Sequence, residues 1–187
     1  DLVVPKLRRD FSIYFNTHSE LAGLHAFLGA SRHHWVNYDE SSIKESYNNF
    51  LAVQRGTDLH AFARHCIDLR QKLPTTKKSL NMYVNDAIGF RMRPEQPLFY
   101  SENSFGTTDA ISFREEFLRI HDLKTGVTRV SMRQLEIYMA LFCLEYSKDP
   151  RKIESELRVY QNNEVIYLTP DPDTILIIMD KIVKFDK

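Results

Sequence analysis

The hydrophobic periodicity of this chain changes at Gly89, and that change most limits the folds open to it. Ahead of Gly89 the apolar residues recur at helical spacing. From about Ile43 to Leu73 they run through Tyr47, Phe50, Leu51, Leu59, Phe62, Ala63, Cys66 and Ile67. This predicts one long helix with Ser42 as its cap and Pro74 as its stop. A shorter helix is expected from about Ser79 to Ile88. Another is expected between His18 and Tyr38, where Leu21, Leu24, Phe27 and Leu28 follow helical spacing behind Ser19. Residues Asp1–Phe11 carry no clear period. Beyond Gly89, Gln96–Tyr100, Phe105–Phe113 and Phe117–Lys124 read as strands. A helix over Ser131–Tyr146 follows, then a hairpin of Leu157–Tyr160 and Val165–Leu168 about Asn162-Asn163, then a helix over Asp171–Val183. A helical N-terminal part (1–90) ahead of a sheet core (91–187) predicts a single α/β domain, its mixed central β-sheet flanked by helices.

Composition narrows the functional classes. At 187 residues, with 43% hydrophobic and 27% charged, the chain can bury one sizeable core and is not of disordered type. The longest apolar run, Ile175–Met179, is far shorter than the roughly 20 residues of a membrane span. No basic start followed by an apolar stretch marks a signal peptide, so the expected compartment is cytoplasmic. The two cysteines, Cys66 and Cys143, lie in apolar helical patterns and read as buried thiols. They are too few for a four-cysteine zinc site or an iron–sulfur cluster. Net charge is zero, which excludes nucleic-acid binding by bulk charge. The distribution is uneven: Arg55–Phe99 carries eight basic and four acidic residues, and Tyr100 onward carries 12 basic and 15 acidic. A basic segment facing an acidic one suits a metal-dependent enzyme acting on a polyanion, and equally suits ordinary solvated helix faces.

The chemistry concentrates between Phe105 and Tyr138. Alternate strand residues share a face, so Asp122 and Lys124 project together from the end of the third strand. Asp109, on the strand before, can lie beside them. Two converging carboxylates repel unless a cation neutralises them, and a hard divalent ion such as Mg²⁺ takes such oxygen ligands. Lys124 then offers a charge for orienting water or stabilising a phosphate. Thr125-Gly126 would turn the chain and let its backbone approach a ligand. Taken alone, the same residues also describe a turn ending an ordinary strand.

They do not stand alone. Gly106-Thr107-Thr108-Asp109, Asp122-Leu123-Lys124-Thr125-Gly126 and Gln134-Leu135-Glu136-Ile137-Tyr138 occur in this order, behind Gly56-Thr57-Asp58-Leu59-His60. Together the four segments resemble the RecB-like nucleases of the PD-(D/E)XK superfamily, over about Gly56–Tyr146. The resemblance implies a restriction-endonuclease-like core and one- or two-metal phosphodiester hydrolysis. It implies that His60, Asp109, Asp122 and the backbone carbonyl of Leu123 bind Mg²⁺ or Mn²⁺, and that Lys124 positions the attacking water. Gln134 and Tyr138, one helical turn apart, would face the active site and the DNA backbone. Glu95 resembles an accessory acid of some relatives, though a Glu close to two prolines also reads as a solvated loop residue. Gly56 and His60 fall on one helix face, and the missing side chain would leave room for the imidazole or its ligands. Relatives with an iron–sulfur cluster carry four cysteines, so no such cluster is expected here.

Other residues admit two readings. Arg32-His33-His34-Trp35 could form a wedge or stacking platform at a DNA end, or a helix end that packs Trp35 into the core. Arg129 and Arg133 are candidate phosphate contacts or solvent-facing cations. His65 and His121 are expected to point away from the metal residues. The expected function is a metal-dependent DNA nuclease, an exonuclease resembling the phage-type enzymes that process ends for recombination or repair, in a bacterial or phage-infected cell. DNA ends are the expected partner, with a single-strand annealing protein as a family-level expectation. The alternative is a non-catalytic nucleic-acid-binding or assembly protein on a nuclease fold.

Overall fold

The computed structural model describes residues 16–22 and 26–187. Expectations for Asp1–Phe11 and for Leu24 fall outside these residues. The chain divides into two compact units, one up to Phe50 and one over Leu51–Lys187.

In the first unit the helix expected between His18 and Tyr38 is replaced by short 3₁₀ turns at Ser19–Leu21 and His33–Asn37. A segment this short has little helical stability of its own. Here Gly29 spends its carbonyl on the Trp35 indole N–H at 2.9 Å, while Phe27 packs on Tyr47 and Phe50 at 5.2 and 5.5 Å between ring centroids. Helix α1 (Glu40–Asp68) is capped by Asp39 rather than Ser42. The Asp39 carboxylate accepts from Ser42 N at 2.8 Å and Ser41 Oγ at 2.9 Å, bonds that hold its pKa below the usual carboxylate value.

Helix α1 also stops short of Pro74. Gln71 N donates to Cys66 O at 2.9 Å and Arg70 N to Ile67 O at 3.1 Å, closing the helix around a left-handed Arg70 (φ 53°). Helix α2 (Ser79–Gly89) ends in the same way, with Arg91 at φ 53° and Met92 N donating to Ala87 O at 2.8 Å.

The second unit is built on a five-stranded mixed sheet in the order β1 (Arg93–Ser101), β2 (Ser104–Arg114), β3 (Phe117–Leu123), β4 (Glu154–Gln161), β5 (Glu164–Leu168). All neighbours are antiparallel except β3 and β4, which run parallel with α3 (Arg133–Glu145) between them in sequence. Helix α4 (Pro172–Phe185) closes the chain, capped by Asp171 with Pro172 in its first turn. Two hairpins turn through paired positive-φ residues, Glu115-Glu116 (50° and 58°) and Asn162-Asn163 (52° and 60°). Asparagine suits that geometry and glutamate does not; Glu116 is held there by Lys148 at 3.0 Å.

The strands alternate between two cores. Leu98, Ile111, Leu118, Ile120, Leu157 and Val159 pack with Leu135, Met139, Phe142 and Ile175 of α3 and α4. On the other face Ala110, Leu123 and Tyr160 pack with Ala63 and Ile67 of α1 and Tyr83, Val84 and Ala87 of α2. The chain is therefore an α/β layer structure with helices on both sheet faces. Cys66 and Cys143 are buried, free, and in different cores. No helix among the described residues is long and apolar enough to cross a membrane.

Candidate active site

The end of β3 carries the expected cluster. Its backbone is fixed because Lys124 N donates to Tyr160 O at 2.9 Å, extending the β3–β4 ladder by one residue. Beside it, Asp109 Oδ2 accepts from Leu123 N at 2.8 Å and lies 3.6 Å from His60 Nδ1 of α1. Asp122 is buried, its side chain 4% exposed, and its Oδ2 lies 3.1 Å from Lys124 Nζ. That contact is off the hydrogen-bonding direction, so the buried Oδ2 accepts no hydrogen bond. Burial and the neighbouring Asp122 push Asp109 up to about 6, against the opposing pull of Leu123 N–H, His60 and Lys124.

Helix α3 completes the row. Lys124 Nζ donates to Gln134 Oε1 at 2.8 Å, and Gln134 Nε2 donates to the Tyr138 hydroxyl oxygen at 3.0 Å. The Tyr138 ring lies directly over Gly106, where a Cβ would stand 2.9 Å from Cε1. Gly56 plays the matching part on α1: a Cβ there would stand 2.7 Å from Thr125 Oγ1. The space expected for the imidazole is thus filled by Thr125, one turn from where His60 meets Asp109. At Gly126 a Cβ would meet nothing within 4 Å, and the Gly126 carbonyl accepts from Gln161 Nε2 at 2.7 Å.

The structure brings His60, Asp109, Asp122, the Leu123 backbone, Lys124, Gln134 and Tyr138 into one chain of contacts. Glu95 lies inside β1 at φ 45°, between residues that pair with Ala110 and Thr108, so it stands opposite Asp109 rather than ahead of the strand. It is ion-paired to Arg64 of α1. Arg129 is exposed, and Arg133 is tied to Glu136 at 2.8 Å. Arg32 and Trp35 belong to the first unit, where Arg32 is exposed and Trp35 partly buried. His65 is exposed, and His121 points into the α1–α2 side of the sheet, against Phe90 and Tyr160. As they stand, no three His, Cys, Asp or Glu side chains among the described residues form a ready metal-ligand group.

Two contributors escaped sequence reasoning. Tyr83 of α2 is buried near the acids; burial, then Asp109, Asp122 and Glu95, push its hydroxyl well above the usual 10. Gln161, 2% exposed, donates to Gly126 O and Thr128 O at 2.7 and 2.8 Å, while Asn162 Nδ2 donates to Val127 O at 3.0 Å. The β4–β5 hairpin therefore holds the loop that follows Lys124. Buried amide side chains at a strand end are the only sequence sign of this, and it is a weak one. No protein-family model, curated protein or solved structure matches the chain.

Proposed function

We propose that the chain is a metal-dependent DNA nuclease of the PD-(D/E)XK type, acting as an exonuclease on DNA ends. One observation carries the reading: a buried carboxylate, Asp122, and a partly buried one, Asp109, converge beside a lysine whose Nζ lies 3.1 Å from Asp122 Oδ2. Converging carboxylates of this kind suit a hard divalent cation. Asp109, Asp122, His60 and the Leu123 carbonyl would hold Mg²⁺ or Mn²⁺, which when bound supplies a Lewis acid for a phosphoryl oxygen. The order of helix, three antiparallel strands, helix and parallel strand also supports this core.

The chain's own residues account for the rest of the site. Lys124 carries its charge where a water or a phosphate oxygen would approach Asp122, and Gln134 fixes the direction of that ammonium. Tyr138, seated on Gly106, orients Gln134 in turn. This row from α3 is positioned to set the lysine against a backbone phosphate.

The test is cleavage of end-labelled linear duplex beside closed circular DNA, with Mg²⁺, Mn²⁺ or EDTA. Metal-dependent loss of the linear substrate alone is expected. Cleavage of the circle would make the enzyme an endonuclease, and DNA binding without cleavage under either metal would overturn the catalytic reading. Asp122→Asn should abolish cleavage and leave the fold intact, the lost ion pair with Lys124 being offset by removal of a charge facing Asp109. Retained metal-dependent cleavage in that variant would remove Asp122 from the site.

A further inference from the structure

A cavity lies along the β1–β2 edge of the sheet. It measures about 690 Å³ and opens between the C-terminal ends of α1, α2 and α3. Its floor is apolar, with Leu98, Ile111 and Phe142 at most 7% exposed. Its rim is basic: Arg70, Arg91, Arg93 and Arg114 line it. Among the described residues none of these four is ion-paired. The nearest wall residue on β2, Ile111, is two positions from Asp109, about 7 Å at the rise of a strand, and none of His60, Asp109, Asp122, Lys124, Gln134 and Tyr138 lines the cavity. The cavity is thus separate from the carboxylate site.

Helix ends offer an ordinary reason for basic residues here, since a C-terminus carries about half a negative charge. Three such ends do not account for four guanidinium groups, and the charged groups beside them on the wall are already paired, Asp68 with Arg64 at 3.6 Å and Lys148 with Glu116 at 3.0 Å. The backbone adds a second observation. Arg70 and Arg91 both occupy the left-handed position that closes a helix, at φ 53°. Glycine fills that position without steric penalty, whereas an arginine there is strained by about 1 kcal/mol. Both of these residues line the same cavity.

We infer that this cavity binds a nucleoside polyphosphate, with the phosphates on the arginines and the base on the exposed face of Tyr146. The volume lies within the range of small-ligand pockets, roughly 300–1,000 Å³. Guanidinium groups suit phosphate oxygens, and the half-exposed ring of Tyr146 on the wall offers a face for a base. The inference does not rest on the nuclease reading.

The test is calorimetric titration of the full chain with ATP in EDTA, where the carboxylate site has no counter-ion. Saturable binding is expected, weakened at least tenfold in Arg70→Gly/Arg91→Gly. Because glycine relieves the left-handed strain, that variant should melt no lower than the parent, so its loss of affinity cannot be ascribed to unfolding. Lys124→Ala should bind ATP as the parent does. Absence of binding, or equal affinity in the glycine variant, would overturn the site. Tripolyphosphate binding as tightly as ATP would overturn the base contact, and a short oligothymidine binding more tightly than ATP would overturn the free nucleotide as its ligand.

Discussion

Acidification acts on this fold through two groups of opposite sign, His121, which is buried, and Asp109, which is partly buried. His121 is fully buried, and burial followed by the Arg158 and Arg119 cations pushes its imidazole from 6.5 to about 3. The Tyr160 hydroxyl donates to Asp86 at 2.6 Å, so its oxygen is left to accept from His121 Nδ1 at 3.3 Å, and the bare Nε2 has no partner. Below pH 6.5 the unfolded chain takes up a proton that the folded chain refuses. The stability contributed by neutral His121 is complete above that pH and is lost as the pH falls toward 3. Asp109 runs the other way. Its pKa is raised from 3.8 to about 6, so its contribution is present below 3.8 and is lost as the pH rises through 6. At 1.36 kcal/mol per pKa unit, moving from about pH 7.5 to about pH 5 loses ~2 kcal/mol at His121 and restores ~1 kcal/mol at Asp109. The parent should therefore weaken by only ~1 kcal/mol over that range through these two groups. In His121→Asn the histidine effect is gone; the variant starts lower because of the cavity it leaves, but gains ~1 kcal/mol over the same range. Urea unfolding followed by circular dichroism at several pH values measures both slopes. Parallel profiles for parent and variant would refute the assignment of a neutral, proton-refusing His121.

Three further perturbations test the site and the cores. Gly106→Ala places a methyl 2.9 Å from Tyr138 Cε1, so the ring must retreat; an overpacking loss of about 1–3 kcal/mol is expected, with cleavage falling further than stability explains. Normal cleavage would show that Tyr138 does not support the lysine. Gln161→Leu leaves two loop carbonyls without their donor, and should cost about 1–3 kcal/mol and speed amide exchange over residues 124–130; unchanged exchange there would mean the loop holds itself. The Cys143 thiol, pushed up to about 12 by burial and then by Asp149, should react with a disulfide reagent only on unfolding, and prompt modification in buffer would contradict its burial.

What the sequence made legible follows from which periodicities reach into three dimensions. A strand fixes the direction of each side chain by position alone, so Asp122 and Lys124 could be paired before any coordinates, and Asp109 set beside them. The hairpin at Asn162-Asn163 was readable for a similar reason, because those residues tolerate the left-handed turn that their φ values show. Groups arriving from the helices behave differently. Helical spacing says which residues share a face, but not what that face meets, so it offers the gap at Gly56 to the imidazole or its ligands, whereas Thr125 fills it. Tyr83 and the Arg64–Glu95 pair join elements far apart in sequence, and nothing local announces them. Glu95 was hidden by its prolines, which suggest a loop where β1 in fact carries one left-handed residue within its ladder. The cap of α1 was a closer competition: Asp39 and Ser42 are both good caps, and only the bonds to Ser41 and Ser42 decide for Asp39. The strand-borne acids and lysine are thus set by the local pattern of the chain, whereas the residues that hold them in place are set by how α1, α2 and the β4–β5 hairpin pack against it. Mutations in that supporting layer should disturb the site without touching any residue that the motifs name.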